Sequence, residues 1–319
     1  MTDSKTNVRT RAEPSEAGPG PRRALLLVNQ HARGGTTSLD DALGVLRRGG
    51  IEVTEEECSS KRPIPDAIRA QAGGFDCIIV GGGDGTLNTA APALLETGLP
   101  LGVLPLGTAN DLARTLGIDP DPVAAAGLIV AGNIRRIDLG EVNGHPFFNV
   151  ASIGFSAELA RELTAEAKRK WGVFGYAVTA LRLLVTMSPF RAVIEHDGAT
   201  ESTPTVQVSV GNGRHYGGGM TVDVLAEPDD GSLYVYSLEI RHWWQMLALF
   251  PALRSGTQGE WDEVLAFRTT ECTVRTRRRR AINTDGELKT HTPGRFRVLR
   301  GAIQVYAPLG IVQAQTRGA

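Results

Sequence analysis

The sequence predicts an α/β protein: an N-terminal three-layer α/β domain on a parallel sheet, followed by a β-rich, sandwich-like C-terminal domain. Three observations predict it. Short, wholly apolar strands alternate with helical stretches through the first hundred residues, the texture of a parallel sheet covered on both faces. After about Asp138 helices become fewer and strand-like segments dominate. At 319 residues the chain exceeds the usual size of one compact domain.

Taken in order, Ala24 to Asn29 reads as a buried strand, then a Gly/Thr/Ser loop, then a helical stretch over Leu39 to Arg48. Ile51 to Glu55 alternates as a strand does, Ile64 to Ala72 suits a helix, and Asp76 to Val80 is a short buried strand running into glycines. Leu87 to Leu95 suits a helix and Leu101 to Pro105 another buried strand. Beyond a boundary near 135–145, strands are expected at Pro146–Val150, Arg191–His196, Val206–Gly211, Leu233–Leu238, Cys272–Thr276 and Phe296–Leu299. Helices are expected there only near Ala157–Lys168 and Val173–Met187. The expected partition is a disordered tail over 1–22, a first domain over 23–140, a second over 141–310, and a tail over 311–319. No internal repeat is evident.

Composition narrows the function classes. Lys plus Arg total 34 against 35 for Asp plus Glu, so no global positive field attracts nucleic acid. Cys58, Cys77 and Cys272 are odd in number and lack the spacing of zinc sites or a disulfide framework, which fits a reducing cytoplasm. The N-terminus has no apolar core of a signal peptide, and the longest apolar-dominated run, Trp243 to Leu253, falls short of the ~20 residues that span a bilayer. A cytoplasmic protein is expected, with peripheral membrane contact left open.

The chemistry gathers in two loops. Gly81-Gly82-Gly83-Asp84-Gly85-Thr86 follows a strand and precedes a helix, where backbone N–H groups approach phosphate oxygens and the helix offers its positive end. It is neither G-x-x-x-x-G-K-[ST] nor G-x-G-x-x-G. A tight turn without a ligand is the plainer reading. The next strand exits into Leu104-Pro105-Leu106-Gly107-Thr108-Ala109-Asn110-Asp111-Leu112-Ala113-Arg114, which places a second glycine, a hydroxyl and an Asn-Asp pair at a helix start. Asn110 or Asp111 as a simple helix N-cap is the alternative there.

Together these loops resemble the diacylglycerol kinase catalytic-domain superfamily, especially its bacterial YegS-type lipid kinases. The resemblance runs from about Leu25 to Ala307, because VNQHARGG at 28–35, GNGRHYGGGM at 211–220, EPDDGSL at 227–233 and TDGE at 284–287 follow in the family's order. It implies ATP and Mg²⁺ as cofactors, a lipid alcohol (diacylglycerol-like, phosphatidylglycerol or sphingoid) as acceptor, and an active site in the cleft between the domains.

Carried over by position, the resemblance implies nucleotide contacts at Asn29, Gly82, Gly83, Asp84, Gly85, Thr86, Asn88, Gly107, Thr108, Asn110, Asp111 and Glu287. Arg33 is the candidate phosphate clamp in the first loop, where the family usually has a Lys, Ser or Gly-rich run. Asp285-Gly286-Glu287 resembles the catalytic DGE. Asp285 is taken as the base with Glu287 assisting, although the reverse is chemically reasonable, and a type I′ hairpin turn is the plain alternative. The resemblance implies Asp84, Asp111 and Asp138 near the catalytic Mg²⁺ through water, and a second metal loop with the Asp230 carboxylate and the backbone carbonyls of Glu227 and Ser232 as ligands.

Two further runs stand out. Arg275 to Arg280 faces either anionic headgroups or solvent along a charged β edge. Trp243 to Phe250 is core, a contact in a homodimer, or an aromatic face toward lipid. The rival readings are an NAD kinase, which shares the GGDGT loop, and a nucleotide-binding regulator without catalysis.

Overall fold

The computed structural model describes residues 23–29, 36–59, 61–162, 179–186, 188–223, 226–240 and 242–308. The expected tails over 1–22 and 311–319, and the expected helical residues 163–168, 173–178 and 187, lie outside that set.

The first part runs β1 (Arg23–Asn29), α1 (Thr36–Arg48), β2 (Glu52–Cys58), α2 (Ile64–Gln71), β3 (Cys77–Gly82), α3 (Asp84–Thr97), β4 (Leu101–Pro105), α4 (Asp111–Leu116) and α5 (Pro122–Ala131). Then come β5 (Ile134–Val142), β6 (His145–Phe147), β7 (Val150–Gly154), α6 (Phe155–Glu162) and α7, described over 179–186. The chain continues as β8 (Phe190–His196), β9 (Ala199–Thr205), β10 (Gln207–Gly211), β11 (His215–Tyr216), β12 (Met220–Thr221), β13 (Leu233–Leu238), α8 (Trp243–Ser255) and β14 (Val264–Thr269). It closes with β15 (Glu271–Thr276), β16 (Ala281–Thr284), β17 (Glu287–His291) and β18 (Gly294–Tyr306).

Strands β2, β1, β3 and β4 lie side by side in parallel, in that order. Leu25, Leu26, Leu27, Ile78, Ile79, Val80 and Leu101 are fully buried between the helical layers, which is why those strands read as unbroken apolar runs. Edge strand β2 instead carries Glu52, Glu55, Glu56 and Glu57, charges that discourage pairing with a further strand.

Helix α5 is not anticipated by the sequence pattern. It has Pro at its first position, an Asp121 side chain that accepts from the Val123 N–H at 3.1 Å, and Gly132 as a left-handed C-cap. Its sequence PVAAAGLIVA is small and apolar all round, so no amphipathic period marks it.

The expected short strand at 296–299 is thirteen residues long in β18. Its first half pairs with β15 and β5, its second half with β5 and, through Val305 opposite Leu101, in parallel with β4. The register slips between Leu299 and Ile303, where Gly301 takes φ 55°. Residues 303–306, expected in the second domain, therefore extend the parallel sheet of the first. One ten-stranded sheet results, continuing through β18, β15, β8 and β9 to face a second sheet of order β14-β13-β10-β7-β16-β17. Phe147, Ile153, Ile194, Val208, Val235, Val274, Ile282 and Phe296 fill the space between. The other face of the second sheet is covered by α7 and α8 through Leu184, Met246, Leu249 and Leu253.

Candidate active site

β3 and β4 pair in parallel as far as Gly82 opposite Pro105, so both glycine loops leave the sheet at one rim. There the two backbones touch. A Cβ placed on Gly107 would come within 2.5 Å of the Gly83 Cα, and one on Gly82 within 2.6–2.8 Å of the Thr86 side chain. Neither glycine has a left-handed φ, so close approach, not torsion, requires the missing side chain. Gly107→Ala is expected to push the loops apart and weaken ATP binding by at least about tenfold, with less effect on global unfolding. ATP titration into wild type and variant, beside their thermal unfolding curves, reads both.

The fourteen-residue α3 starts at Asp84 with Gly83 as its extended N-cap, and its positive end opens onto this rim. Asp84 itself reaches sideways: its two oxygens accept from the Asp111 and Leu112 N–H groups at 3.1 and 3.0 Å and so cap α4. Asn110, one expected cap, instead folds back on Gly107. It accepts from the Gly107 N–H at 3.0 Å and donates to its carbonyl at 2.9 Å, with φ 50°. Thr108 is exposed at the tip of this loop. The Asn29 side chain and all of Arg33 lie outside the described residues.

Asp111 turns toward the second unit, where its Oδ2 accepts from the Gly218 N–H at 2.9 Å in the run of left-handed glycines 217–219. Its Oδ1 is buried with no hydrogen-bond partner among the described residues. Burial raises the Asp111 carboxyl above the ordinary value, the Gly218 N–H opposes that, and the nearby Asp84 charge adds to it.

From the other side the β16–β17 hairpin brings Asp285 and Glu287. Asp285 takes φ 47° at the turn. Its Oδ1 accepts from the Asn149 and Val150 N–H groups, both at 3.0 Å, and its Oδ2 from the Phe148 N–H at 2.7 Å and Asn88 Nδ2 at 2.9 Å. Four donors thus fill the four acceptor positions of one carboxylate. Burial lifts its pKa to about 6 against the pull of those hydrogen bonds. Asn88, expected to contact nucleotide, is a buried member of α3 whose amide nitrogen serves Asp285 and the Pro146 carbonyl. Glu287 remains half-exposed, with Oε2 ion-paired to Lys289 at 2.5 Å and Oε1 against Gly85, 3.6 Å from where a Cβ would stand.

Asp138 stands apart from Asp84 and Asp111. Its oxygens accept from the Gly301 and Gly231 N–H groups, each at 2.7 Å, and the charges acting on it are those of Asp230 and Asp229. It ties the bulge of β18 to the 227–232 loop. In that loop Asp229 forms a two-bond pair with Arg135 at 2.7 and 2.8 Å, and Glu227 pairs with Arg214 and Arg135. Asp230 Oδ2 accepts from the Tyr234 hydroxyl at 2.6 Å. Its Oδ1 is buried without a hydrogen-bond partner among the described residues, and Arg268 is 3.5 Å from it.

Among the described residues no group of three or more His, Cys, Asp or Glu is placed to hold a metal. Mg²⁺ commonly takes only one or two carboxylates beside waters and phosphates. The Asp84–Asp111 pair, with one open buried oxygen, fits that need. Asp138, whose oxygens each accept one backbone N–H as those of Asp84 do, is held instead between Gly231 and Gly301, beside the charges of Asp230 and Asp229. Asp230 keeps an open oxygen for a cation at the second loop, with Arg268 as its competitor.

A cavity of about 690 Å³, lined by Glu141, His196, Asp197, Arg295 and Arg297 at an edge of the sandwich, contains none of these motif residues.

Residues 23–142 match the family model for the diacylglycerol kinase catalytic domain, and residues 149–307 match the YegS C-terminal NAD kinase beta sandwich-like domain. A protein of Pseudomonas aeruginosa strain PAO1 named "probable lipid kinase YegS-like" is 32% identical over 292 residues, covering 90% of this chain and 95% of that one. One of the same name from Klebsiella pneumoniae strain 342 is 34% identical over 66% of this chain and 73% of its own. A crystal structure of a diacylglycerol kinase from Bacillus anthracis strain Sterne superposes with a TM-score of 0.78 at 26% identity, covering 92% of this chain and 99% of that one.

Proposed function

Because the chain belongs to the diacylglycerol kinase catalytic-domain family, we propose that it is an ATP-dependent lipid kinase that transfers the γ-phosphate of ATP to the hydroxyl of a lipid alcohol. One observation carries the assignment of the site: the β16–β17 hairpin of the second unit is clamped, through Asp285, onto α3 and the start of β7, and sets Glu287 against Gly85 of the phosphate rim.

In this reading the rim formed by Gly82–Thr86 and Gly107–Thr108 cradles the ATP phosphates. Asp111, with Asp84 beside it, would hold Mg²⁺, which when bound neutralises phosphate charge. The roles expected of Asp285 and Glu287 are exchanged. Asp285 accepts four N–H donors, one of which a proton taken from the substrate would have to displace, so it is the positioning residue. Glu287, with Oε1 facing the rim, takes the hydroxyl proton as the bond from lipid oxygen to γ-phosphorus forms and the bond to the β-phosphate oxygen breaks, releasing ADP.

The NAD kinase and non-catalytic readings are not favoured, since lipid-kinase names extend over nearly the whole chain. Among the described residues no helix is long and apolar enough to cross a membrane. Contact with a lipid surface fits the outer face of α8, where Trp243, Trp244, Leu247 and Phe250 are 45–54% exposed while Met246, Leu249, Ala252 and Leu253 pack inward. Incubation with radiolabelled ATP and a total lipid extract is expected to yield a labelled lipid. Label found only in inorganic phosphate, or in NADP when NAD is supplied, would overturn the proposal.

A further inference from the structure

A second place suited to a phosphate lies at the opposite end of the same strands. β7 and β16 are paired neighbours, with Asp285 bonded to Val150 at one end and Gly154 and Ala281 at the other. Four residues of strand separate the two ends, or about 13 Å. At the far end a cavity of about 210 Å³ is lined by Glu158, Arg161, Arg278, Arg279 and Arg280. A neighbouring cavity of about 260 Å³ shares Gly154, Glu158 and Arg280 with it and is otherwise walled largely by Phe155, Leu183, Phe190 and Val206.

The charged half is unbalanced. Glu158 is divided between Arg161 at 3.3 Å and Arg280 at 3.5 Å, while Arg278 and Arg279 have no acidic partner among the described residues. Burial lowers the Arg280 pKa, the Glu158 charge opposes that, and the Arg278 charge adds to the lowering. Arg280 lies over the Phe190 ring at 3.9 Å, which fixes its guanidinium where the charged and apolar halves meet. Leu181 and Val185 of α7, the helix that supplies Leu183, are 51% and 54% exposed.

We infer that this junction binds an anionic phospholipid: its phosphate among Arg278, Arg279 and Arg280, and the first part of its acyl chain against Phe155, Leu183 and Phe190. Guanidinium groups suit phosphate because their paired N–H groups match two of its oxygens. An inorganic phosphate would satisfy the arginines but leave the apolar half without a purpose. The bound lipid is not the acceptor, because its phosphate sits a strand's length from Glu287. It holds the kinase on an anionic surface while another lipid is phosphorylated.

The test uses the full chain without ATP, so its outcome is independent of the kinase assignment. Co-sedimentation is measured with phosphatidylcholine vesicles, with vesicles of equal parts phosphatidylcholine and phosphatidylglycerol, and with the latter plus excess inorganic phosphate. Wild type is expected to sediment with the phosphatidylglycerol vesicles alone and to stay bound in phosphate. The R278Q/R279Q variant changes two exposed arginines and is expected to fold normally while partitioning about tenfold less or weaker still. The R275Q/R297Q control loses the same charge from arginines already paired with Glu195 and Glu141, and is expected to bind like wild type. Equal losses in the two variants would reduce the effect to diffuse charge. Complete displacement by phosphate would make it a free-anion site, and binding indifferent to phosphatidylglycerol would remove it. Each of these overturns the inference.

Discussion

Replacing Glu287 with Gln is expected to lower the turnover of lipid phosphorylation by about 10²–10⁴, the usual worth of a positioned base, with the unfolding midpoint close to wild type. The stability half follows from exposure. Glu287 keeps 42% of its side-chain surface in solvent, and its ion pair to Lys289 is of the surface kind worth about 0–1 kcal/mol. The catalytic half follows from saturation: of the two carboxylates the hairpin carries, only Glu287 has an oxygen directed at the rim and free to accept. Gln preserves size and removes basicity, so a lost kcat with an unchanged KM for ATP is the signature sought. Near-normal turnover would return the base to Asp285 or exclude both.

Asp285→Ala is expected to act first on the fold. The Phe148, Asn149 and Val150 N–H groups and the Asn88 amide would lose their common acceptor at once. Removing one partner of a buried charged network typically costs about 3–5 kcal/mol, which should lower the urea midpoint and release the hairpin, and activity with it. The wild-type pH dependence carries the same residue's mark. Its pKa is lifted to about 6, so the folded state binds a proton that the unfolded state has already released. That contribution is complete below the ordinary aspartate range and is lost as pH rises through 6. Against the neutral Asp285→Asn variant, wild type should therefore lose relative stability between about pH 4 and pH 7. Urea midpoints of both proteins at the two ends of that range measure it, and a constant difference would show that Asp285 ionises normally.

Much of the architecture was legible because it is written locally. Buried parallel strands must be apolar throughout, so β1, β3 and β4 announce themselves, and loops whose backbones touch must use glycine, so the rim does too. Helix α5 escaped because it is apolar on every side, and most of β18 escaped because a strand that changes partners at a bulge shows no single alternation.

The site divides along the same line. The residue types of the cleft, the two glycine loops, Asp84 with Asp111, and Asp285 with Glu287, are determined by the sequence alone, since phosphate cradles and carboxylate chemistry need those groups wherever they are placed. Tertiary structure decided which of them are free to act. The donors that fill Asp285 are three backbone N–H groups about 136 residues away and one amide 197 residues away, and Asp84 is bound by two more backbone groups. A backbone N–H has the same chemistry in every residue but proline, so no side-chain pattern records where it will point. Only the packing of hairpin against helix could show that Asp285 braces the cleft and Glu287 is left open to it.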